Sequence, residues 1–344
     1  MKLVPTDSLK PGMIIARHIY GSNGKVLLAA NTSLKEFYIK RLRELQFSAV
    51  YIKSHPDEPE EQIMEPVRQE TLVSARMALR GVADTVTRGR EPDFKRVQSV
   101  VEDIVAQVLG NTNVVYNIAD IRAFDDYTFS HSVDVCILSV MCAARMGLSH
   151  SELIDLGTGT MLHDLGKLFI PKDVLRKRET LDSSDWEVIR RHPLDGFRIL
   201  RKQVPLFAAH VAFQHHERFD GSGYPRGLVD NATIDFAKIA AVADSYSAMT
   251  ADRPYGKALM PHEAISILSS LAGISYNPRV IHAFTQVVVV YPVGSTVLLT
   301  DGSTATIENA FRGTYVARVE TGPDQGRVVQ IRSGSDLGIV RRII

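Results

Sequence analysis

The spacing of apolar residues constrains the fold of this chain more than any other feature. From residue 119 to about 290, one helical pattern follows another, and the connecting segments carry Pro and Gly. After Tyr291 and Pro292 the pattern changes to short β-type runs. The runs cover residues 296–300, 305–307, 315–319 and 327–331, with turns predicted at Asp301-Gly302 and Gly322-Pro323. This change of period predicts a helical core followed by a small β-barrel-like domain.

Two further segments precede the helical core. Residues 1 to about 53 combine short apolar runs, turn signals and one helical pattern over 34–45. Residues 56–65 are acidic and contain Pro, which is typical of a linker, and 65–110 is again helical. We therefore predict a mainly α protein in four segments. They are a small β-rich N-terminal unit (1–55), an acidic linker with connecting helices (56–118), the helical core (119–290) and the β-barrel-like C-terminal domain (291–344).

The charge balance excludes one broad class of function. The 344 residues include 40 Lys and Arg against 39 Asp and Glu, for a formal net charge of +1. Proteins that bind nucleic acid polymers in general carry a basic surface that displaces phosphate counterions. We therefore expect no nucleic acid polymer as a partner, whereas a small anionic ligand held in one pocket remains compatible with this charge.

The sequence also predicts a cytoplasmic protein. Met1 to Lys10 lack the apolar core of a secretory signal. Charged residues, Pro or Gly interrupt the most apolar stretches, 133–148 and 287–299, before they reach the length of a bilayer span, so we expect no membrane insertion. Cys136 and Cys142 have no CxxC spacing and are expected to be buried, reduced thiols.

The 11 histidines are informative through their positions rather than their number. Imidazole and carboxylate groups recur through the helical core at short spacings. They are His131, the pair His163-Asp164, His192, the pair His215-His216, and Asp244. This donor set without thiolate suits divalent iron, manganese, nickel or zinc and disfavours a structural zinc site. The other six histidines are assigned ordinary core or surface roles.

The adjacent pair favours a site with two ions. Neighbouring residues on a helix point about 100° apart, so His163 and Asp164 do not both point directly at one ion. A carboxylate has two oxygens, however, and Asp164 can bridge two ions while His163 binds one of them. The spacing therefore favours a dinuclear site over a mononuclear one.

Two motifs carry a resemblance to a known family. His163-Asp-Leu-Gly-Lys167 and His215-His-Glu-Arg-Phe-Asp-Gly-Ser-Gly-Tyr-Pro225 resemble the HD-GYP family, a branch of the HD-domain metal phosphohydrolases. Further matching segments are Tyr127-Thr-Phe-Ser-His131, Arg191-His-Pro193, Asp244-Ser-Tyr-Ser-Ala-Met-Thr250 and Asp252-Arg-Pro-Tyr255. The flanking segments are similar to units found beside such domains. The resemblance thus spans nearly the whole chain and implies an HD-GYP catalytic domain over 119–290.

The resemblance implies an enzyme and its cofactors. Members of the family hydrolyse cyclic di-GMP, a bacterial second messenger, to linear pGpG, and some continue to GMP, with a metal-bridging hydroxide as the nucleophile. The implied ligand sets are His131, His163, Asp164 and Asp244 for one ion, and Asp164, His192, His215 and His216 for the other. Iron or manganese is expected, with nickel, zinc and magnesium as alternatives. Some members bind a third ion through a glutamate near the first histidine. Here Tyr127 lies one helical turn before His131, so two ions are expected.

Substrate contacts follow from the same resemblance. Lys167 is expected to clamp the scissile phosphate or to stabilise its developing charge. Residues 221–225, here called the GYP loop, are expected to border the substrate through Gly223, Tyr224 and Pro225. Arg253 is expected to grip the other phosphate, since guanidinium geometry matches phosphate oxygens.

Two departures from the family pattern leave alternatives open. Ser247 stands where many members have a second aspartate, and Gly256 stands where they commonly have a basic residue. A low-activity nucleotide sensor, or a module that docks signalling proteins through the GYP loop, is one alternative, and a hydrolase of another cyclic dinucleotide is the other. The helices over 65–110 are equally compatible with homodimer contacts and with intramolecular packing.

Overall fold

The computed structural model describes most of the chain. The described residues are 2–21, 25–45, 47, 49–53, 66–111, 127–177, 180–251, 259–291, 293–311, 314–332 and 337–342. They belong to two compact units, one formed by 1–65, 113–127 and 288–344 and the other by 66–112 and 128–287. Arg253 and Gly256 lie outside the described residues, so the predictions made for them stay predictions.

The N-terminal part of the first unit is β-rich with one helix. Its elements are β1 (Lys2–Pro5), β2 (Ile19–Tyr20), β3 (Val26–Leu28), α1 (Glu36–Glu44) and β4 (Ala49–Ile52). β1 pairs antiparallel with β4, and β2 pairs antiparallel with β3. Ile39 and Leu42 of α1 are buried in the same apolar core as Val50 of β4. One apolar helix face therefore covers strands that are too short to form a core alone.

The C-terminal part of the first unit is a curled, antiparallel five-stranded sheet. Its strands are β5 (Thr296–Leu299), β6 (Thr304–Phe311), β7 (Thr314–Val319), β8 (Val328–Arg332) and β9 (Ile339–Arg342), in the order β8-β7-β6-β5-β9. Gly302 and Gly322 adopt positive φ angles of 85° and 98° at the two predicted turns. The predicted β-rich tail is confirmed. β9 escaped prediction because it is only four residues long and is defined by its pairing with the distant strand β5.

The second unit is helical. Its helices are α2 (Gln69–Thr87), α3 (Lys95–Gly110), α4 (Tyr127–Met146), α5 (His150–Met161), α6 (Lys172–Arg176), α7 (Ser183–Ile189), α8 (His192–Leu200), α9 (Leu206–Gln214), α10 (Asp235–Met249), α11 (Pro261–Ser270) and α12 (Pro278–Phe284). Within α4, Phe129–Met146 is long and apolar enough to cross a membrane, but 72% of this segment is buried inside the protein. Cys136 and Cys142 are free and buried on α4, and burial raises the pKa of both thiols to about 12.

Helix α3 packs within this unit. Its apolar stripe is formed by Val97, Val100, Val101, Ile104, Val105 and Val108, all of which are buried. Of the two interpretations left open for the connecting helices, intramolecular packing therefore describes the apolar face of α3.

Helix α5 carries the chain to the functional site, and two glycines fix its position. A Cβ added at Gly157 would lie 2.6 Å from Cγ1 of Val101 on α3, and one at Gly159 would lie 2.6 Å from the carbonyl oxygen of Ala208 on α9. Both neighbours are closer than a side chain allows. The glycines therefore let α3 and α9 pack directly against α5, which ends two residues before His163.

We expect Gly159→Ala to destabilise the helical unit by about 1–3 kcal/mol, because the added methyl group meets backbone that has no room to move. Gly81→Ala is the matched control, since Gly81 lies in α2 with no atom within 4 Å of a built Cβ. At this exposed helical position, alanine should stabilise by about 0.5–1 kcal/mol. Thermal unfolding followed by circular dichroism measures both changes, and equal midpoints for the two variants would contradict the packing argument.

Candidate metal centre

The His163-Asp164 pair lies just after α5, where the chain tightens. Leu165 N donates to the carbonyl oxygen of Leu162 and Lys167 N to that of Asp164, and a 3-10 turn spans Leu165–Phe169. The sequence predicts an α-helix for this segment, and that prediction is wrong. The reason is tertiary: a Cβ at Gly166 would lie 2.0 Å from the carbonyl oxygen of His192, so the turn sits directly on the start of α8.

The seven predicted metal ligands meet at this turn. His131 comes from α4, His163 and Asp164 from the turn, His192 from the first residue of α8, His215 and His216 from the end of α9, and Asp244 from α10. All are buried except His216, which is partly buried. Their potential ligand atoms form two groups, each with atoms within 4.8 Å of one another: His131, His163 and Asp164 in one, and His192, His215 and His216 in the other.

The carboxylate of Asp164 faces both groups. Its Oδ2 lies 3.4 Å from Nε2 of His163 and 4.0 Å from Nε2 of His131. Its Oδ1 lies 3.5 Å from Nε2 of His192 and 3.8 Å from Nε2 of His215. Each oxygen therefore addresses a different set of imidazoles, which is the geometry that a bridging ligand needs.

Asp244 also spans the two groups, although the sequence analysis placed it with one ion only. Its Oδ1 lies 3.0 Å from Nε2 of His131 and 3.9 Å from Nε2 of His163. Its Oδ2 lies 4.0 Å from Nδ1 of His216. The assignment to the first group agrees with Oδ1, and the second oxygen adds an approach that sequence spacing does not reveal.

Backbone carbonyl groups fix the tautomers of three histidines. The Nδ1 atoms lie 2.7 Å from Thr160 O for His163, 2.7 Å from Ile189 O for His192, and 3.0 Å from Ala212 O for His215. A carbonyl oxygen only accepts, so Nδ1 carries the hydrogen and donates it. The lone pair of Nε2 is then directed into the cluster, as metal-binding imidazoles require.

The two carboxylates are held ionised. Burial alone would raise the pKa of Asp164, but the nearby His163 and Lys167 outweigh it and hold this pKa well below its usual range. Burial likewise opposes ionisation of Asp244, and the hydrogen bond from His131 outweighs it and lowers its pKa well below the usual value. The cluster therefore presents two carboxylate anions.

Most of the imidazoles are held neutral. Burial lowers the pKa of His192 to about 4 and also lowers that of His131, His215 and His216. His163 differs, because the charge of Asp164 outweighs the effect of burial and raises its pKa. Neutral imidazole is the form that binds a metal ion, so four of the five rings are ready to bind without losing a proton.

The donor set fits divalent metal ions. Nε2 of His163 and Oδ1 of Asp164 are fully buried and lack a well-oriented hydrogen-bond partner among the described residues. A buried polar atom without a partner is costly, and a bound cation removes this cost. Imidazole nitrogen and carboxylate oxygen together suit divalent iron, manganese, nickel and zinc.

Ser247 contributes to the site in a way that sequence reasoning missed. It is fully buried on α10, and its Oγ lies 3.0 Å from Nδ1 of His131. The sequence analysis treated it only as a missing carboxylate. Its spacing of three residues from Asp244 on one helix is the signal that places both side chains on the same face.

Glu217 is a second residue that sequence reasoning missed. It is buried, and its Oε1 accepts a hydrogen bond from Arg226 N at 2.9 Å while its Oε2 accepts one from Leu228 N at 2.8 Å. The carboxylate thus ties the segment after the GYP loop to the end of the ligand pair His215-His216. The available signal was an acidic residue directly after two predicted ligands.

The GYP loop packs on the ligand His216. A Cβ at Gly223 would lie 2.4 Å from the carbonyl oxygen of His216, and Tyr224 N donates to the same oxygen at 3.1 Å. The Tyr224 ring stacks on the His216 ring with centroids 4.6 Å apart and an angle of 27°. Pro225 is exposed. Asp220 orders the loop, because its Oδ1 accepts from both N and Oγ of Ser222.

Lys167 borders the cluster. Its Nζ lies 2.6 Å from Oδ2 of Asp164, and its side chain is 32% exposed. The side chain therefore connects the buried carboxylate with the surface of the site.

We expect Glu217→Gln to loosen the segment that follows the GYP loop. The substitution places an amide NH₂ against a backbone N–H, so one buried donor loses its acceptor, at a cost of about 1–3 kcal/mol. Hydrogen exchange at Arg226 and Leu228 should become faster. Glu187→Gln on the exposed side of α7 is the control. Unchanged exchange at both amides in Glu217→Gln would contradict this role.

The chain is similar in sequence to known HD-domain proteins. The HD-domain family model matches residues 113–280. The cyclic di-GMP phosphodiesterase PA4108 of Pseudomonas aeruginosa is 31% identical over 337 residues, which cover 88% of this chain and 80% of that protein. A cyclic di-GMP phosphodiesterase of Thermotoga maritima is 37% identical over 188 residues, 54% of this chain and 50% of that protein.

A solved structure shows the same fold. Bd1817, an HDG"Y"P protein from Bdellovibrio bacteriovorus, matches with a TM-score of 0.54 and 18% identity over 82% of this chain and 97% of that chain. The expected helical HD core with smaller β-rich parts is thereby confirmed. Together with the family model and the long match to PA4108, the motifs around His163 and His215 establish that the chain belongs to the HD-GYP branch of the HD-domain metal phosphohydrolase family.

Proposed function

We propose that this protein is a metal-dependent phosphodiesterase that hydrolyses cyclic di-GMP to linear pGpG in bacterial second-messenger signalling. The observation that carries the proposal is the position of Asp164, whose two oxygens face two separate groups of histidines. A site of this kind is suited to the cleavage of phosphodiesters. The similarity to PA4108 over most of both chains supports the choice of substrate.

The proposed roles of the ligands follow from their positions. His131 and His163 with Asp244 would hold one ion, His192, His215 and His216 would hold the other, and Asp164 would contribute to both. When bound, such ions lower the pKa of a water molecule and neutralise charge on phosphoryl oxygens. The protein keeps four of the five imidazoles neutral and both carboxylates ionised, so most of the donor atoms are preorganised. We propose two ions, iron or manganese.

Lys167 and the GYP loop are proposed to bind the substrate. The Lys167 ammonium lies at the border of the cluster, where it can hold the scissile phosphate against the ions. Gly223 and Tyr224 lie beside the ligand His216, so a substrate bound at the ions meets the loop. Pro225 and Arg253 complete the proposed contacts. None of these proposed contacts recognises a base. The proposed specificity for guanine is therefore supported only by the similarity to the relatives.

The setting of the enzyme is proposed from the chain itself. Two free, buried cysteines agree with a reducing cytoplasm. Homodimerisation and docking of signalling proteins through the GYP loop stay predictions.

Metal binding should stabilise the protein independently of turnover. We expect protein treated with a chelator to gain thermal stability when Mn²⁺ is added, by about 2.7 kcal/mol at a concentration of 100 times the dissociation constant. His192→Ala should retain about half of the metal, because it removes one ligand of the second set. Metal analysis after anaerobic purification measures the content, and protein without bound metal and without a Mn²⁺-dependent shift would exclude the metal centre.

The double variant His163→Ala/Asp164→Ala tests the enzyme. It removes the bridge and one ligand, so we expect hydrolysis of cyclic di-GMP to fall to background and bound metal to decrease. His150→Ala/Asp173→Ala is the matched control, because both residues are exposed. Product analysis separates pGpG from GMP.

Unchanged turnover in the double variant would overturn the proposal. Tight, stoichiometric binding of cyclic di-GMP by the wild-type protein, with no product formed under Mn²⁺ or Fe²⁺ in anaerobic conditions, would instead identify a nucleotide sensor.

A further inference from the structure

An arginine and two aromatic rings extend outward from the metal centre. The Tyr224 ring stacks on the ligand His216, and the guanidinium carbon of Arg190 lies 5.5 Å from the centroid of the Tyr224 ring. The same carbon lies 5.9 Å from the ring of Trp186, one helical turn earlier on α7. We call His216, Tyr224, Arg190 and Trp186 the rim column. Through Tyr224, the rim column links the predicted ligand His216 to the exposed cation of Arg190.

Arg190 makes no salt bridge to a carboxylate among the residues that the structure describes. Arg198, on the neighbouring helix α8, pairs with Asp195 at 3.3 Å. Arg190 instead contacts two aromatic faces, which attract a cation and restrict the orientation of its guanidinium group. The guanidinium group of Arg190 makes no hydrogen bond or ion pair within the part of the chain that the structure describes, and it carries five N–H donors. The column thus presents an oriented cation with donors available to an anion.

The anion that fits this position is part of the substrate. A cyclic dinucleotide carries two phosphates on opposite sides of one small ring, so when one phosphate is at the ions the other must be held beside them. Lys167 is assigned to the scissile phosphate, so the second phosphate needs other cations. The resemblance implies Arg253 as one of them, and the Arg190 guanidinium beside Tyr224 is available as another. Arg190 lies beside Tyr224, which belongs to the GYP loop that is proposed to border the substrate.

We propose that Arg190, held by Trp186 and Tyr224, binds the phosphate of the cyclic dinucleotide that is not being cleaved, as a second cation in addition to Arg253. This assignment rests on the proposed function and adds a substrate-binding residue to it. Guanidinium groups bind phosphate through two parallel N–H···O bonds, a geometry that lysine lacks. The Trp186 ring is 43% exposed, and its role is to hold the arginine in place.

The test compares Arg190→Gln with Arg198→Gln. We expect Arg190→Gln to raise the KM for cyclic di-GMP about tenfold or more, since a charge-assisted contact is lost, while kcat and metal content stay close to wild type. Arg190→Lys should recover only part of the loss. Arg198→Gln should leave both constants unchanged, because it removes only an exposed ion pair.

A second substrate separates phosphate binding from support of the metal centre. Bis(p-nitrophenyl) phosphate has a single phosphodiester and no second phosphate. Arg190→Gln should therefore hydrolyse it with the wild-type kcat/KM. An equal loss on both substrates, or a loss of metal, would show that Arg190 only supports Tyr224 and would overturn the assignment.

The failure of this assignment is distinct from failure of the proposed function. Wild-type protein that hydrolyses cyclic di-GMP while Arg190→Gln keeps the wild-type KM overturns the assignment alone. Wild-type protein that leaves cyclic di-GMP intact overturns the proposed function, and this assignment with it.

Discussion

The site depends on how the protein stabilises the buried, ionised carboxylate of Asp164. An ionised group in the interior is costly unless charges and hydrogen bonds compensate it. Here Lys167 lies 2.6 Å from one oxygen, while imidazoles at 3.4–4.0 Å surround both. Oδ1 nevertheless lacks a well-oriented partner among the described residues. The Asp164 anion is therefore paired with Lys167 at Oδ2 but not at Oδ1. A carboxylate that is only partly compensated in this way attracts cations.

Close backbone packing makes this arrangement rigid. Gly166 lets the turn that carries Asp164 lie on the first residue of α8, and Gly223 lets the GYP loop lie on His216. The imidazoles of three predicted ligands are held by carbonyl oxygens three residues earlier in the chain, so their rings are fixed before any ion binds. Preorganised donors of this kind lose little freedom on metal binding, and the same packing couples the substrate loop to the ligands.

Residue types and order were sufficient to predict the helical core and to select seven residues as metal ligands, an assignment that stays a prediction. Histidine and aspartate at these positions have a distinctive chemistry, and the structure brings six of them into two groups with Asp244 beside both. Ser247, Glu217 and Arg190 were not predicted as parts of the site. Ser247 contacts His131, Glu217 binds two backbone amides and Arg190 lies over Tyr224. These contacts join segments that are distant in the chain, and the residue types alone suit many other roles.

The sequence by itself determined the helical and β-type periods, the choice of candidate ligands and the family, because each depends on local spacing or on the identity of side chains. Tertiary structure decided that α5 ends before His163 and that a 3-10 turn follows Asp164. It also decided that Asp244 faces both groups of histidines and that β9 pairs with β5. These features depend on the approach of segments far apart in the chain. The carbonyl oxygen of His192 beneath Gly166 is one such neighbour, and local spacing does not encode it.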